Sequence, residues 1–190
     1  MSPALEVKEI VAVLSGSPLA PLEAKPQLPR EPGFYAWWVR PGALPAVPGT
    51  AHPAEDWCLL YVGIAPGRQN SSATLRSRVG GQHIGGNTGS STFRLSLASL
   101  LFEDMGWQPQ RKKKKVTLSS EDNAALRNWQ QEHAGLCWVT TDEPWASSTE
   151  GDVIAEMRPP LNLAENSAHP FHSNMSAARR SFRQAAVELK

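Results

Sequence analysis

Two apolar runs constrain this chain most: Gly33-Phe34-Tyr35-Ala36-Trp37-Trp38-Val39 and Trp57-Cys58-Leu59-Leu60-Tyr61-Val62-Gly63-Ile64. Aromatic, β-branched and aliphatic residues in short runs bounded by glycine and proline fit a pleated sheet. The second run is almost continuously apolar, which predicts a central strand buried on both faces. Between them, Arg40 to Asp56 carries Pro41, Pro45, Pro48 and Pro53 with Gly42 and Gly49. That segment reads as a long loop, and the two runs as an antiparallel hairpin.

The other segments read as helices around this hairpin. Ser2-Pro3 suggests a helix start, with Val7, Ile10, Val11 and Leu14 as its buried stripe. Gly16 to Pro32 is a Pro-rich connection. Ser72 is placed to cap a short helix over Ala73 to Val79, and the glycine pairs 80-81 and 85-86 predict a flexible loop around His83. Phe93, Leu97, Leu100, Leu101 and Met105 recur at helical spacing and predict a helix from Thr92 to Met105, closed by Gly106. Val116 to Leu118 reads as a short strand, Ser119 with Asp122 as the start of a helix to His133, and Leu136 to Thr141 as a third main strand. Ser147 or Ser148 opens a helix over Glu150 to Met157 that Pro159-Pro160 ends. Met175, Ala178, Phe182, Ala185 and Leu189 predict a terminal helix with Arg179, Arg180 and Arg183 outside its stripe.

The net charge of +1 over 190 residues hides an asymmetry. From Trp57 to Lys115 nine basic residues stand against two acidic ones, Glu103 and Asp104; the rest of the chain holds ten basic and sixteen acidic residues. A basic middle on a nearly neutral chain points to a polyanion-binding face. Arg76, Arg94, Arg111, Lys112, Lys113, Lys114 and Lys115 are the candidates for contact with nucleic acid. Cys58 and Cys137 lie in apolar runs and read as buried thiols of a reducing compartment. Glu6, Lys8 and Glu9 in the first apolar segment argue against a secretory signal, and no run approaches the length of a membrane span, so the expected location is the cytoplasm. His169 and His172 have no cysteine or carboxylate at ligand spacing and are not read as a metal site.

Both tyrosines of the chain sit beside a glycine in a strand-like run, as Gly33-Phe34-Tyr35 and Tyr61-Val62-Gly63. Leu75-Arg76-Ser77-Arg78-Val79, His83, Glu150 and Pro159-Pro160-Leu161-Asn162 follow in order. In this the sequence resembles the GIY-YIG nuclease superfamily, from about Gly33 to Asn162. The resemblance implies an α+β fold, a small and mainly antiparallel central sheet flanked by helices. The length fits a single domain over 1–190, within which the resemblance implies a catalytic core at 33–162, between an N-terminal helix and Pro-rich connection at 1–32 and a C-terminal helical extension at 165–190.

The resemblance further implies a metal-dependent endonuclease that hydrolyses nucleic-acid phosphodiesters, DNA before RNA. The catalytic set would be Tyr35, Tyr61, Arg78, His83, Glu150 and Asn162. Glu150 would hold Mg²⁺, with Mn²⁺ able to substitute, since Mg²⁺ keeps most of its waters and needs few carboxylates. Arg78 would offer its fork to phosphate. Tyr35 would orient or deprotonate the attacking water, Tyr61 would hold water or phosphate, and Asn162 would brace the site. Two features depart from the pattern: Tyr35 and Tyr61 are 26 residues apart, and His83 follows Arg78 by five residues where four is usual. A nucleic-acid-binding module without turnover, and a defence or toxin component acting with a partner chain, are the alternatives. A homodimer stays open, and no membrane partner is expected.

Overall fold

The computed structural model describes residues 6–44, 46–67, 70–142 and 149–188. The expected caps at Ser2-Pro3 and Ser147 or Ser148, Arg68 in the basic segment, and Leu189 in the terminal stripe lie outside these residues.

The central sheet has three strands, β1 (Gly33–Val39), β2 (Cys58–Ala65) and β5 (Ala134–Thr140), all antiparallel, in the order β2-β1-β5. The expected hairpin and third strand are therefore present in one α+β arrangement. The centre, however, is β1. β2 lies at an edge, and its buried, unbroken apolar character comes from what covers that edge. Leu161 N–H donates to Leu60 C=O, and the Asn162 side-chain amide pairs with both main-chain groups of Val62. Further back, Thr50 C=O accepts from Leu59 N–H. An edge whose hydrogen bonds are satisfied by loops buries its side chains like an interior strand.

Alternation along β1 divides the core in two. Phe34, Ala36 and Trp38 face α1 (Val7–Leu14) and α5 (Thr149–Met157) through Ile10, Leu14, Val153, Ile154 and Met157. Tyr35, Trp37 and Val39 face the opposite layer. There, the helix Arg76–Ile84, α3 (Thr92–Leu101), α4 (Ser120–His133) and α6 (His172–Gln184) supply Val79, Phe93, Leu97, Leu126, Met175 and Phe182. Trp37 stacks on Phe93 with ring centroids 4.5 Å apart. A minor sheet of β4 (Lys115–Thr117), β3 (Gln110–Lys112) and β6 (Val187–Glu188) lies beyond α3 in sequence.

Several boundaries differ from the sequence reading. The Pro-rich connection contains a turn of helix, α2 (Pro21–Ala24), and a 3₁₀ segment, Lys25–Gln27. The Arg40–Asp56 excursion is anchored: Arg40 stacks on the Trp57 ring at 3.8 Å, and His52 Nε2 donates to Gly16 C=O while Nδ1 accepts from the N–H groups of residues 54 and 55. The helix after Gly86 is regular only to Leu101, and the chain then turns through Gly106 at φ +66°. β5 begins at Ala134, two residues before the expected Leu136, and so takes in Gly135, where a side chain would strike Pro18. The terminal helix stops at Gln184, because Ala185 to Glu188 turn back to add β6 parallel to β3.

The glycines of the two tyrosine motifs have direct roles. Tyr35 pairs across the sheet with Gly63, and a Cβ at Gly63 would run into the Tyr35 hydroxyl. Gly33 likewise lies against the Val139 carbonyl and the Leu75 side chain. Small residues here let a large ring lie flat over the neighbouring strand. Gly63→Ala is expected to cost about 1–3 kcal/mol through overpacking, because Tyr35 must move, read as a loss of several degrees in Tm.

Candidate active site

Tyr35 sits on the central strand with 1% of its surface exposed, facing the helical layer. Its hydroxyl is 2.7 Å from Nε2 of His83, and His83 Nδ1 is 2.6 Å from the Ser91 hydroxyl. Tyr61, on β2, lies beside it with ring centroids 6.4 Å apart. His83 is fully buried, with Phe93 edge-on to its ring at 5.9 Å.

The five-residue step from Arg78 to His83 has a structural cause. Arg76–Ile84 is a π-helix, whose i→i+5 hydrogen bonds widen the turn; Gly85 N–H, for example, donates to Gly80 C=O at 3.1 Å. Residues five apart thus return to the same side, and His83 enters the site from a helix, not from the flexible loop that the glycines suggested. Gly80 and Gly81 permit the wide turn. Arg78 is half-exposed, and its guanidinium donates to Gln82 Oε1 at 2.6 Å.

Electrostatics tie these groups to Glu150. Burial pushes the Tyr35 phenol far above its ordinary range, with Tyr61 and Glu150 adding to the shift and Arg78 opposing it. Tyr61 is raised by burial as well, against Arg78 and Arg179. Burial works against the charge of Arg78, but Tyr35, Tyr61 and Glu150 outweigh it and raise its pKa. His83 is held well below its usual range, first by burial and then by Arg78 and Arg94, so it is neutral. Glu150, half-buried in the first turn of α5, is raised by burial and by Glu165, with Arg78 opposing. These groups converge on one wall: Tyr35, Tyr61, Arg78 and Glu150 feel one another, and His83 and Ser91 stand behind Tyr35.

This set, on this sheet, has a counterpart among known families: residues 33–181 match the GIY-YIG catalytic domain. The chain belongs to the GIY-YIG family. That membership carries nuclease-type activity in general terms. Comparisons with curated proteins and with solved structures gave no match.

Within this GIY-YIG domain, the remaining expected residues fall in different places. Asn162 is buried and clamps β2, accepting from Val62 N–H at 3.0 Å and donating to Val62 C=O at 2.8 Å. Arg76 donates to the carbonyls of Leu28 and Pro26, which fastens the Pro-rich connection to the π-helix. Arg94 does not face solvent at all. It is fully buried, and its guanidinium donates to Asn123 C=O at 2.7 Å and to the Gln130 side chain at 2.5 Å; burial and Arg127 lower its pKa to about 10. It occupies a buried position of the α3 stripe, which a charge count along the sequence does not register. Arg111 pairs with Glu188 at 3.0 Å and donates to Arg183 C=O. Lys112 to Lys115 are exposed around a tight turn, with Lys113 at φ 56°.

Four neighbours escaped the sequence reading. Ser91 and Gln82 contact His83 and Arg78 directly. Arg179, expected outside the terminal stripe, is buried and donates to Ser96 Oγ at 2.5 Å and Leu161 C=O at 3.4 Å. Glu165, three residues after Asn162, raises Glu150. Only Ser91 left a signal, a serine three residues before Arg94 at the head of an apolar helix.

The donor set suits a small divalent cation. Glu150 is a hard oxygen ligand whose burial and nearness to Glu165 both disfavour its charge, and a cation there would offset both. Among the described residues no cluster of three or more ligand-type side chains exists, so water would complete the shell, as Mg²⁺ prefers. Asn162→Ala strips the clamp from two buried main-chain groups, each of which costs about 1–3 kcal/mol when unsatisfied. Thermal melting should show a marked loss of stability, and an unchanged Tm would mean that water or another group takes over the edge of β2.

Proposed function

We propose that this chain is a Mg²⁺-dependent endonuclease that hydrolyses DNA phosphodiester bonds. The observation that carries the reading is the convergence of two buried phenols, a half-exposed arginine, a neutral histidine and a half-buried carboxylate from separate segments of the chain. Phosphodiester hydrolysis needs charge on the non-bridging oxygens, an oriented water and help for the leaving oxygen.

Arg78 supplies a permanent planar donor to the phosphate, and its hydrogen bond to Gln82 fixes the direction of the fork. Tyr35 presents its oxygen to the attacking water. As a buried phenol it is protonated at rest, so its use as a base depends on donors that favour its anion, Arg78 first among them. Tyr61 is placed to hold the water or a phosphate oxygen. Glu150 would hold the metal ion, which when bound supplies Lewis-acid polarisation of the phosphate and a more acidic water. Asn162 braces β2 and with it Tyr61.

The test uses purified protein with plasmid, single-stranded DNA and RNA, in Mg²⁺, Mn²⁺ or EDTA. Cleavage of DNA that EDTA abolishes is expected. Glu150→Gln should abolish it with nucleic-acid binding largely kept, and Tyr35→Phe, which removes one oxygen and keeps the ring, should lower the rate by about 10²- to 10⁴-fold. Full activity of Glu150→Gln, or in EDTA, overturns the reading; so does Tyr35→Phe that melts early but retains specific activity.

The basic hairpin belongs to the same proposal as the part of the surface that follows the nucleic-acid backbone. Arg111 anchors it through Glu188 and Arg183, which leaves Lys112 to Lys115 facing solvent. Replacing the four lysines with glutamine should flatten the log–log salt dependence of DNA binding by roughly one unit for each phosphate that a lysine had neutralised. An unchanged slope assigns the run to a solvated turn.

A further inference from the structure

The hydrogen bonds behind Tyr35 form a chain with a direction, and that direction fixes which nitrogen of His83 carries the proton. Ser91, His83 and Tyr35 are linked by two hydrogen bonds, 2.6 Å and 2.7 Å, all three groups being at most 2% exposed. The chain holds three hydrogens, on the Ser91 hydroxyl, one ring nitrogen and the Tyr35 hydroxyl, for two bonds. One hydrogen must therefore point beyond one end.

Ser91 is the N-cap of α3, and its oxygen accepts the Arg94 main-chain N–H at 3.1 Å. If the chain ran from Tyr35 through His83 to Ser91, the surplus hydrogen would sit on Ser91, inside the cap. Among the described residues the other polar partner of that hydroxyl, the Arg94 N–H, is itself a donor. A buried hydroxyl hydrogen without an acceptor is strongly disfavoured. Run the other way, the surplus hydrogen sits on Tyr35, at the end of the chain where the Glu150 carboxylate acts on the phenol and offers the negative charge that the Ser91 end lacks. The groups around the imidazole are Tyr35, Tyr61, Phe93, Ser91, Arg78 and Arg94; none is a carboxylate that would favour a charged ring.

We propose that Ser91 is a positioning residue of the active site: its hydroxyl donates to Nδ1 of His83 and fixes the ring as the neutral Nε2–H form, which donates to the Tyr35 oxygen. His83 is then a donor that favours the Tyr35 anion together with Arg78, and not the acceptor of the Tyr35 proton. The Tyr35 hydrogen then points away from His83, on the side of Arg78 and Glu150. The consequence for catalysis rests on the nuclease reading; the tautomer does not.

The two are separated by reading the ring directly. In histidine ¹⁵N-labelled protein at neutral pH, without metal or nucleic acid, the His83 resonances are assigned through the backbone. A pyrrole-type Nε2 and a pyridine-type Nδ1 are expected, and a protonated Nδ1 in the wild type overturns the proposal. Ser91→Ala should move the ring toward a mixture of the two forms and lower kcat more than it changes KM. Ser91→Thr, which keeps both the cap and the hydroxyl, should restore the wild-type spectrum and rate, and it serves as the folded control. A Ser91→Ala protein that folds with an unchanged His83 spectrum also overturns the proposal. A wild-type protein with the expected spectrum but no cleavage of any substrate supports the tautomer and sinks the nuclease reading.

Discussion

A phenol buried at the centre of the sheet is the constraint on which the rest of this structure depends. Tyr35 needs a strand neighbour without a side chain, a partner for its hydroxyl and a layer of helix to cover its ring. Gly63 answers the first need, His83 the second, and the π-helix with α3 the third. The partner then has needs of its own. His83 must find something for Nδ1, which Ser91 provides, and its main-chain carbonyl is fixed by Arg94 and Gln130. Satisfying one buried polar group thus recruits a cap, a helix terminus and an interior arginine. The site is rigid because each member already has a structural task.

The same region is cationic in an unusual way. Arg94 and Arg179 are both buried, and among the described residues neither has a carboxylate partner; each leaves its Nε without a hydrogen bond. Burying an unpaired cation costs several kcal/mol. Arg94 offsets this with oxygens from Asn123, Gln130 and His83, and Arg179 with Ser96 and Leu161. Carboxylates there would hold the arginines more strongly but would cancel the positive potential that Arg179 places on Tyr61 and Arg94 on His83. Neutral oxygens hold the charge without cancelling it. Such a wall complements a phosphate diester and disfavours a charged His83.

Sequence alone discloses the parts of this arrangement that depend on local pattern. The hairpin, the third strand, α4 and the Tyr35, Tyr61, Arg78, Glu150 and Asn162 set all follow from composition, caps and motif resemblance. What it hides is tertiary. β2 reads as central because its edge is covered by the Leu161-Asn162 segment, a hundred residues downstream. Arg94 and Arg179 read as surface charges because their oxygen partners come from other helices. Glu165 reads as one acid among many, since only the turn after Asn162 brings it to Glu150. Gly80-Gly81 reads as a break because glycine signals permissiveness, and permissiveness serves a π-turn as well as a loop.

The two departures from the family spacing show what the fold conserves. Lengthening the connection between Tyr35 and Tyr61 is thermodynamically mild, since doubling a flexible loop costs only about 0.6 kcal/mol. Here even that is offset, because Arg40 on Trp57 and His52 on Gly16 anchor the excursion. One extra residue between Arg78 and His83 is the harder problem. In an α-helix it would rotate His83 away from Arg78, and in a loop it would leave a buried imidazole to be positioned by a mobile chain. The π-helix absorbs the residue by widening the turn, and both side chains stay on the face that meets Tyr35. A longer step along the chain is thus taken up by the backbone, and the approach of Arg78 and His83 to the oxygen of Tyr35 is kept.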